Sequence, residues 1–175
     1  MLQLNNFLWS NYGYGVVSGT CGDVGVSGLA MGGGFGYLTR KYGFLVDQIV
    51  SAEIVTANGK QLSVNEKQNK DLFWAIRGAG AAGFGVVTQF TLKAFPATET
   101  FVWARLKYSL NDLSLLLNLW QQIMKFRNCS TVGLHIERDN FPYGVDYIGI
   151  NFVIVEQEED NKQLETLQYF LPNIT

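Results

Sequence analysis

The residues of this chain whose types and spacing could do chemistry lie in one glycine-rich segment that contains a cysteine. Eleven of the 19 glycines fall between residues 13 and 43, and four of them recur at every third position, namely Gly19, Gly22, Gly25 and Gly28. Glycine leaves its backbone N–H group uncovered, so that a flat or anionic ligand can approach it closely. The segment therefore predicts a ligand-cradling loop, and a series of tight turns is the alternative interpretation.

Cys21 stands inside this segment, between Thr20 and Gly22. The small neighbours leave its sulfur accessible, and nearby backbone N–H groups favour the thiolate, which is the nucleophilic form of the side chain. A reactive or ligand-attached thiol is therefore one interpretation of Cys21. A small buried side chain, the commoner state of a free cysteine, is the other.

The rest of the composition excludes several classes of site. The 175 residues carry 13 basic and 15 acidic side chains, and this balance argues against a nucleic-acid or anionic-membrane surface. Two cysteines and one histidine are too few for a disulfide-rich scaffold or a four-thiolate zinc site. The glycines form neither a Rossmann fingerprint nor a P-loop. We therefore expect no metal, no nucleic-acid partner and no membrane partner.

A series of short motifs follows in order between residues 13 and 96. They are Thr20-Cys21, Val24-Gly25, Gly28-Leu29, Gly32-Gly33-Gly34-Phe35-Gly36, Arg40-Lys41-Tyr42-Gly43, Asp47, Ala57-Asn58-Gly59-Lys60, Asp71-Leu72-Phe73-Trp74-Ala75-Ile76-Arg77-Gly78 and Phe84-Gly85-Val86-Val87-Thr88. In type and order they resemble the berberine-bridge-enzyme-like FAD-linked oxidoreductases. These enzymes belong to the vanillyl-alcohol-oxidase superfamily, which has a PCMH-type FAD-binding domain.

The resemblance implies an FAD cofactor and names the residues that hold it. Cys21 would be the thiol bonded to C6 of the isoalloxazine ring, inside a loop that wraps the flavin and its ribityl-phosphate chain. The backbone of residues 85–87 would contact the adenine end. The cofactor-binding residues implied in this way are Cys21, Gly22, Val24, Gly25, Gly28, Leu29, Gly32, Gly33, Gly34, Gly36, Tyr42, Gly85, Val86 and Val87.

Val24 also bears on the electron acceptor. In the family, valine at this position leaves room for O2 beside the flavin and goes with oxidases, whereas bulkier residues go with dehydrogenases. The resemblance therefore implies hydride transfer from an alcohol, sugar or secondary-metabolite carbon to the flavin, with O2 as the acceptor. A tyrosine or carboxylate takes the hydroxyl proton in such reactions. Asp139, Tyr143 and Tyr147 are available, but the spacing does not choose among them, and the catalytic residues stay unassigned.

The chain departs from the family pattern in two respects. Family members bond the flavin a second time, through a histidine of an N-terminal subdomain that this chain does not contain. The single histidine, His135, lies far beyond that region on a predicted strand, and we expect it to be a partly buried structural imidazole. The sequence also reads as an internal fragment of a family member, so a complementary chain would supply the missing FAD subdomain.

Periodicity and turn residues predict the elements that position these motifs. They are a helix over residues 2–11 that ends at Gly13, strands over 14–18, 49–56 and 60–64, a helix over 70–77 and a strand over 85–95. In the last strand Val86, Phe90, Leu92 and Ala94 alternate with Gln89, Thr91 and Lys93, as in a half-buried strand. The helix over 2–11 would bury one apolar face, made of Leu2, Leu4, Phe7, Leu8 and Trp9. Asn58-Gly59 predicts a hairpin, because both residues tolerate positive φ.

After Pro96 the pattern changes. The predicted elements are a strand over 101–109, a helix capped by Asn111 that runs to about Phe126, strands over 131–137 and 147–155 joined by a turn at 141–144, and a helix that starts at Asp160 or Asn161. The buried side of the helix after Asn111 would consist of Leu113, Leu116, Leu117, Trp120, Ile123 and Met124. The expected fold class is α+β. Residues 1–97 would form the second half of a PCMH-type FAD-binding subdomain, and residues 98–175 the start of an α+β substrate domain with an antiparallel sheet.

Two other functions stay open on the sequence. The chain would be a non-catalytic remnant if it keeps the fold of the family without enough protein to hold FAD. It would be an α+β binding module without flavin if the glycines serve only turns, and Cys21 would then be chemically silent. The compartment is not predicted.

Overall fold

The chain folds into two compact units, Met1–Ala97 and Thr98–Thr175. The structure, a computed structural model, describes residues 1–79, 83–97, 101–125, 131–138 and 146–155. Both units combine helices with antiparallel strands, so the predicted α+β class is confirmed. Within these ranges, no helix has both the length and the apolar character needed to cross a membrane.

The first unit packs short helices against two small sheets. Its helices are α1 (Leu2–Tyr12), α2 (Val26–Met31), α3 (Thr39–Tyr42) and α4 (Lys70–Ile76), with a 3-10 turn at Leu45–Gln48. Its strands are β1 (Tyr14–Gly15), β2 (Ile49–Val55), β3 (Gln61–Asn65), β4 (Val86–Leu92) and β5 (Phe95–Pro96). Strand β2 lies between β3 and β4, and β1 pairs with β5, in each case antiparallel.

Helix α1 ends at Gly13, whose φ of 67° is left-handed, as predicted. Its core-facing side is narrower than predicted. Leu4 and Leu8, one turn apart on the same face of the helix, pack against the core. Leu2, Phe7 and Trp9 keep 56%, 55% and 46% of their surface exposed, so the prediction of a five-residue buried face was wrong.

Strand β1 is also shorter than the predicted strand over 14–18. Val16 and Val17 are buried but pair with no neighbouring strand. The side chain of Asn5 takes the place of a strand instead, since its Oδ1 accepts from Val16 N at 2.9 Å and its Nδ2 donates to Val16 O at 3.2 Å. Both backbone groups of this buried residue are thereby satisfied.

The hairpin at Asn58-Gly59 is confirmed. Gly59 has a φ of 76°, and Thr56 N donates to Lys60 O at 2.9 Å across the turn. The strands on either side of this turn, β2 and β3, pair in the register Val55↔Gln61 to Ser51↔Asn65.

In the first two residues of β4, Val86 and Val87, the buried and exposed sides are the reverse of the predicted ones. The pairing with β2 shifts between Glu53↔Gln89 and Ile54↔Val87, which leaves one extra residue on β4, a β-bulge. Phe90 and Leu92 pack against the core as expected, but Val87 joins them and Val86 is 68% exposed. The core of the first unit consists of Met1, Val16, Val17, Ala30, Leu45, Ile49, Ala52, Ile54, Val64, Phe73 and Ile76.

The second unit is a three-stranded antiparallel sheet with one described helix. Its elements are β6 (Phe101–Ser109), a 3-10 turn at Leu110–Asp112, α5 (Leu113–Ile123), β7 (Thr131–Arg138) and β8 (Asp146–Val155). Strand β8 lies between β6 and β7. Helix α5 contacts β7, and Leu116 and Ile148 are fully buried.

Two details of this unit differ from the predictions. Asn111 does not cap the helix, because the Ser109 hydroxyl accepts from Asn111 N at 3.2 Å and caps the 3-10 turn. Leu117, which was predicted to be buried, is 39% exposed. The predicted turn at 141–144 and the predicted helix from Asp160 or Asn161 lie outside the described residues.

Candidate functional site

Cys21 lies in the turn between Val17 and α2, and its thiol is free and exposed. Its Sγ is 4.0 Å from the hydroxyl of Thr20, and its carbonyl accepts from Val24 N at 3.5 Å, which closes the turn. The interpretation of Cys21 as a small buried side chain was therefore wrong. The thiol is accessible to a ligand.

The backbone of the Cys21 turn is held by the start of α1. The ammonium group of Met1 donates to Val24 O at 2.8 Å and to Gly22 O at 3.4 Å. Leu2 N donates to Gly22 O at 3.1 Å. An added Cβ at Gly22 would lie 3.2 Å from the Leu2 side chain, so α1 packs closely on this glycine. The turn is thus fixed through its carbonyl groups while the Cys21 side chain stays exposed.

The glycines of the segment separate into two groups by what surrounds them. The first group borders open space, since a Cβ added at Gly25, Gly28 or Gly33 would meet no atom within 4 Å. Gly25 and Gly28 are also exposed, and they lie at the start of α2, a few residues after Cys21. These three positions leave room for a ligand beside the backbone, as the loop interpretation requires.

The second group is occupied by the protein's own atoms. A Cβ at Gly34 would collide with Leu45 Cβ, and one at Gly36 with the carbonyl oxygen of Ser18. A Cβ at Gly32 would lie 3.1 Å from Gly28 O. Gly34 also has a φ of 77°, which favours glycine. Packing within the chain is sufficient to account for glycine at these positions, and their role toward a cofactor stays a prediction.

Three predicted cofactor residues carry larger side chains. Val24 is half-buried beside the Cys21 turn. Leu29 packs over Gly19, where an added Cβ would lie 3.5 Å from Leu29 Cδ2. The ring of Tyr42 stacks on Phe95 with centroids 3.8 Å apart and an interplanar angle of 4°, and burial raises the pKa of its phenol. Phe95 therefore covers one face of the Tyr42 ring, and that face is not available to a ligand.

The predicted adenine contacts lie at the start of β4. Gly85 has a φ of 156°, and a Cβ there would collide with Val55 O on β2. The bulge of β4 turns Val87 to the core and leaves Val86 exposed. Of these three residues, Val86 therefore has the side chain that a ligand can reach.

The chain matches known proteins, and the matched family model includes the Cys21 turn. Residues 1–65 match the FAD binding domain family. The chain is 41% identical over 111 residues to berberine bridge enzyme-like 23 of Arabidopsis thaliana, in a match that covers 63% of this chain and 21% of the relative. It is 49% identical over 79 residues to xylooligosaccharide oxidase of Thermothelomyces thermophilus, over 45% of this chain and 16% of the relative. Over these matched ranges the chain is similar to berberine-bridge-enzyme-like FAD-linked oxidoreductases.

The berberine-bridge-enzyme-like fold extends over both units. The solved structure of Physcomitrella patens BBE-like 1 matches 99% of this chain with a TM-score of 0.71 and 31% sequence identity. The chain spans 36% of the length of that protein. The predicted resemblance to this family and the predicted fold class are thus confirmed, whereas the activity of the longer relatives is carried over to this chain only as a proposal.

The FAD cofactor of the family fits the residues of the Cys21 turn. A flat ring needs a backbone that it can approach without meeting side chains, and Gly25, Gly28 and Gly33 offer one. A thioether needs an accessible thiol, and Cys21 offers that. The described residues contain no group of three or more histidine, cysteine or acidic side chains that could hold a metal ion.

The second unit holds a polar cluster that the sequence analysis did not identify. Arg105, His135, Glu137 and Tyr147 meet on one face of its sheet. Tyr147 had been named only as one of three candidate bases, and the other two, Asp139 and Tyr143, lie outside the described residues. A signal was present in the sequence, because polar residues alternate with apolar ones at positions 135 and 137 and again at 105 and 107.

His135 is half-buried within this cluster, in agreement with the expectation of a structural imidazole. Burial lowers the pKa of His135, and the nearby Arg105 guanidinium lowers it further. Both effects favour the neutral form of the ring.

Proposed function

We propose that this chain is part of an FAD-dependent oxidase in which Cys21 forms a thioether with C6 of the flavin. The observation that carries the proposal is the exposed Cys21 thiol next to glycines that border open space. When bound, the flavin would accept a hydride from the substrate carbon. The thioether replaces the S–H bond of Cys21 and the C6–H bond of the ring, and O2 takes up the two electrons and two protons released.

The proposed substrate is an alcohol, a sugar or a related secondary-metabolite carbon. The relative from Thermothelomyces thermophilus is named as an oxidase of xylooligosaccharides, which supports a hydroxyl-bearing substrate here. O2 is the proposed electron acceptor, because the half-buried Val24 leaves more room beside the turn than a bulkier side chain would.

The two units would divide these tasks. Residues 1–97 would hold FAD, and residues 98–175 would contribute to substrate binding. We do not assign the second covalent attachment of the family, through a histidine of another subdomain, to His135, which lies on β7 of the second unit. The remaining FAD subdomain, carried by a complementary chain or by a longer form of the same polypeptide, is the proposed partner of residues 1–97.

The residues of the first unit have distinct parts in this proposal. Cys21 would fix the ring covalently, and the open backbone at Gly25 and Gly28 would lie against it. Met1 and Leu2 would keep the turn in place through their bonds to Gly22 and Val24. Gly34 and Gly36 would act indirectly, by letting the loop pack on Leu45 and Ser18.

The test is an absorption spectrum of the purified chain, recorded after incubation with FAD and again after acid precipitation. We expect a yellow pellet from the wild type and from Cys129→Ala, and a colourless pellet from Cys21→Ala. Absorbance is the appropriate signal, since thioether-linked flavins are often weakly fluorescent. A wild-type protein that stays colourless and does not bind added FAD would overturn the proposal and favour a non-catalytic remnant of the family.

A second experiment tests O2 as the acceptor. In a flavin-loaded preparation, Val24→Leu should slow the reoxidation of reduced flavin by O2, measured by stopped-flow absorbance. Val50→Leu, the same change at a strand position that is 52% exposed, is the control. Equal reoxidation rates in the two variants would contradict the role of Val24.

A further inference from the structure

The turn between β2 and β3 contains a pair of residues with a reactivity of their own. Asn58 is the one asparagine of the sequence that is followed by glycine. Both residues are exposed, and an added Cβ at Gly59 would meet no atom within 4 Å. The side-chain amide carbon of an asparagine can be attacked by the backbone nitrogen of the next residue, and glycine obstructs this attack least because it has no side chain. The Asn58 side chain is therefore a candidate site of covalent modification.

The reaction open to Asn58 is deamidation through a succinimide ring. The backbone nitrogen of Gly59 forms a bond to Asn58 Cγ, the Cγ–Nδ2 bond breaks, and the proton of the Gly59 nitrogen leaves with Nδ2 as ammonia. Water then opens the ring at one of its two carbonyl groups, which gives aspartate or isoaspartate at position 58. Water is the only co-reactant, and no electrons are gained or lost.

The attacking nitrogen is occupied while the turn is closed. Gly59 N donates to Thr56 O at 2.9 Å, and Thr56 N donates to Lys60 O at 2.9 Å. Because a hydrogen bond is directional, the bond to Thr56 O fixes the plane of the Gly59 peptide group. The nitrogen can therefore turn toward Asn58 Cγ only after this bond has opened.

The side-chain amide of Asn58 is held by the same threonine. The Thr56 hydroxyl lies 2.6 Å from Asn58 Oδ1 and 3.0 Å from Lys60 O, and both oxygens are acceptors for its proton. Lys60 N also donates to Asn58 Oδ1, at 3.3 Å. Thr56 thus holds the attacked amide through its hydroxyl and the attacking nitrogen through its carbonyl group.

The turn can open without unfolding of the core. Thr56 is half-buried and residues 57–60 are exposed, whereas the buried Ile54 of β2 and Val64 of β3 lie further along the two strands. Exposed segments with few buried contacts open locally, at a free energy far below that of global unfolding. Opening of the turn therefore exposes both reacting groups while β2 and β3 stay paired.

We propose that Asn58 is a deamidation site of this protein and that Thr56 controls the rate of the reaction. The proposal goes beyond the proposed function and does not depend on flavin. The aspartate product keeps an oxygen in the place of Oδ1 and retains the turn. The isoaspartate product adds one carbon atom to the backbone between residues 58 and 59, so the hydrogen bonds of Gly59 N and Thr56 N no longer form together.

The test is a time course of the full chain at mildly alkaline pH, followed by peptide mass spectrometry. Deamidation changes the mass of the peptide that contains residue 58 by the difference between OH and NH2, and electron-transfer fragmentation distinguishes aspartate from isoaspartate. The reference is the same chain unfolded in guanidinium chloride. Asn58 should react before any other asparagine of the folded chain, but more slowly than in the unfolded chain.

Variants of Thr56 test its control of the rate. Thr56→Val removes the hydroxyl and keeps the branched shape, and it should react about fivefold faster in the folded state, the factor that corresponds to a hydrogen bond of about 1 kcal/mol. Thr56→Ser keeps the hydroxyl and should react as the wild type does. Thr91→Val, the same change at an exposed position of β4, is the matched control and should also leave the rate unchanged. In guanidinium chloride all four chains should react equally fast.

Asn5→Ala separates local opening of the turn from unfolding of the whole unit. It removes two hydrogen bonds to Val16 and none in the turn. If the reaction required global unfolding, the destabilisation of about 2 kcal/mol expected for Asn5→Ala would accelerate it about thirtyfold. Local opening predicts the rate of the wild type.

Three results would overturn the proposal. They are an Asn58 that in the folded chain either does not react or reacts as fast as in the unfolded chain, equal folded-state rates of Thr56→Val and Thr91→Val, and a thirtyfold acceleration in Asn5→Ala. Circular dichroism of each variant shows that it is folded before its rate is compared. The first and third results do not involve Thr56→Val, so the proposal stays testable even if that variant does not fold.

Discussion

Gly36→Ala should destabilise the first unit severely, although alanine is the smallest possible addition. Gly36 is buried, and its N–H donates to the hydroxyl of the buried Thr39 at 2.8 Å. The added methyl would collide with the carbonyl oxygen of Ser18 and would lie 2.7 Å from its carbon and 3.2 Å from Gly19 Cα. All three are backbone atoms, so no side-chain rotation can make room.

The size of the effect follows from these contacts. Overpacking that forces the backbone to move costs about 1–3 kcal/mol, and the strained hydrogen bond to Thr39 adds about 1 kcal/mol. We expect a loss of about 3 kcal/mol, a large part of the 5–15 kcal/mol by which domains are usually stable. With an m-value of about 2 kcal/mol/M, the urea midpoint should fall by about 1.5 M.

Gly28→Ala is the matched control, and it should act in the opposite direction. Gly28 lies within α2 with nothing within 4 Å of an added Cβ. Alanine is the better helix former by about 0.5–1 kcal/mol, so the midpoint should rise slightly. If Gly28 borders the flavin as proposed, the same variant should retain less FAD in the acid-precipitated pellet. Urea unfolding followed by circular dichroism, together with the pellet spectrum, separates the two effects.

The reasoning would be refuted by equal urea midpoints for Gly36→Ala and the wild type, since the loop would then have room that the structure denies it. A loss of stability in Gly28→Ala as large as in Gly36→Ala would refute the division of the glycines into two groups.

Three further predictions concern the core and the second unit. Asn5→Ala leaves both backbone groups of the buried Val16 without partners and should cost about 2 kcal/mol in urea unfolding, whereas Asn6→Ala, at an exposed position of the same helix, should be near neutral. Phe73→Ala, at a side chain only 1% exposed, should cost about 3–5 kcal/mol, and a cost below 1 kcal/mol would show that Phe73 is not in the core. His135 should titrate below its ordinary 6.5 by NMR. Because the folded state holds this proton less tightly than the unfolded state, His135 should stabilise the fold above pH 6.5 and lose that contribution as the pH falls. A titration midpoint above 6.5 would contradict the effect of burial and of Arg105 on the pKa of His135. Lys107, Glu137 and Tyr147 are the other titratable side chains on the same face of the sheet.

Sequence reasoning succeeded where one local signal determines the structure. Asn58-Gly59 predicted the hairpin because only a few residue types accept its turn geometry. Gly13 marked the end of α1 for the same reason.

Sequence reasoning failed where the local structure depends on a distant part of the chain. The bulge in β4 arises from pairing with β2, more than thirty residues earlier, and the alternation within β4 alone assigned Val86 to the buried side. The side chain of Asn5 replaces a strand beside Val16, which no local propensity predicts. The cluster of Arg105, His135, Glu137 and Tyr147 depends on the register of three strands, so its members were visible in the sequence only as separate alternating runs.

The pairing of β1 with β5 has a consequence for how the first unit folds. Tyr14 pairs with Pro96, and Ala97 N donates to Gly13 O at 2.8 Å, so the two ends of the unit meet in one short ladder. Bringing such distant residues together costs chain entropy that two residue pairs barely offset. The hairpin of β2 and β3 can form early from local contacts, whereas this ladder should close last and limit the folding rate. A chain growing from its N-terminus could therefore complete the unit only after residue 97 has been made.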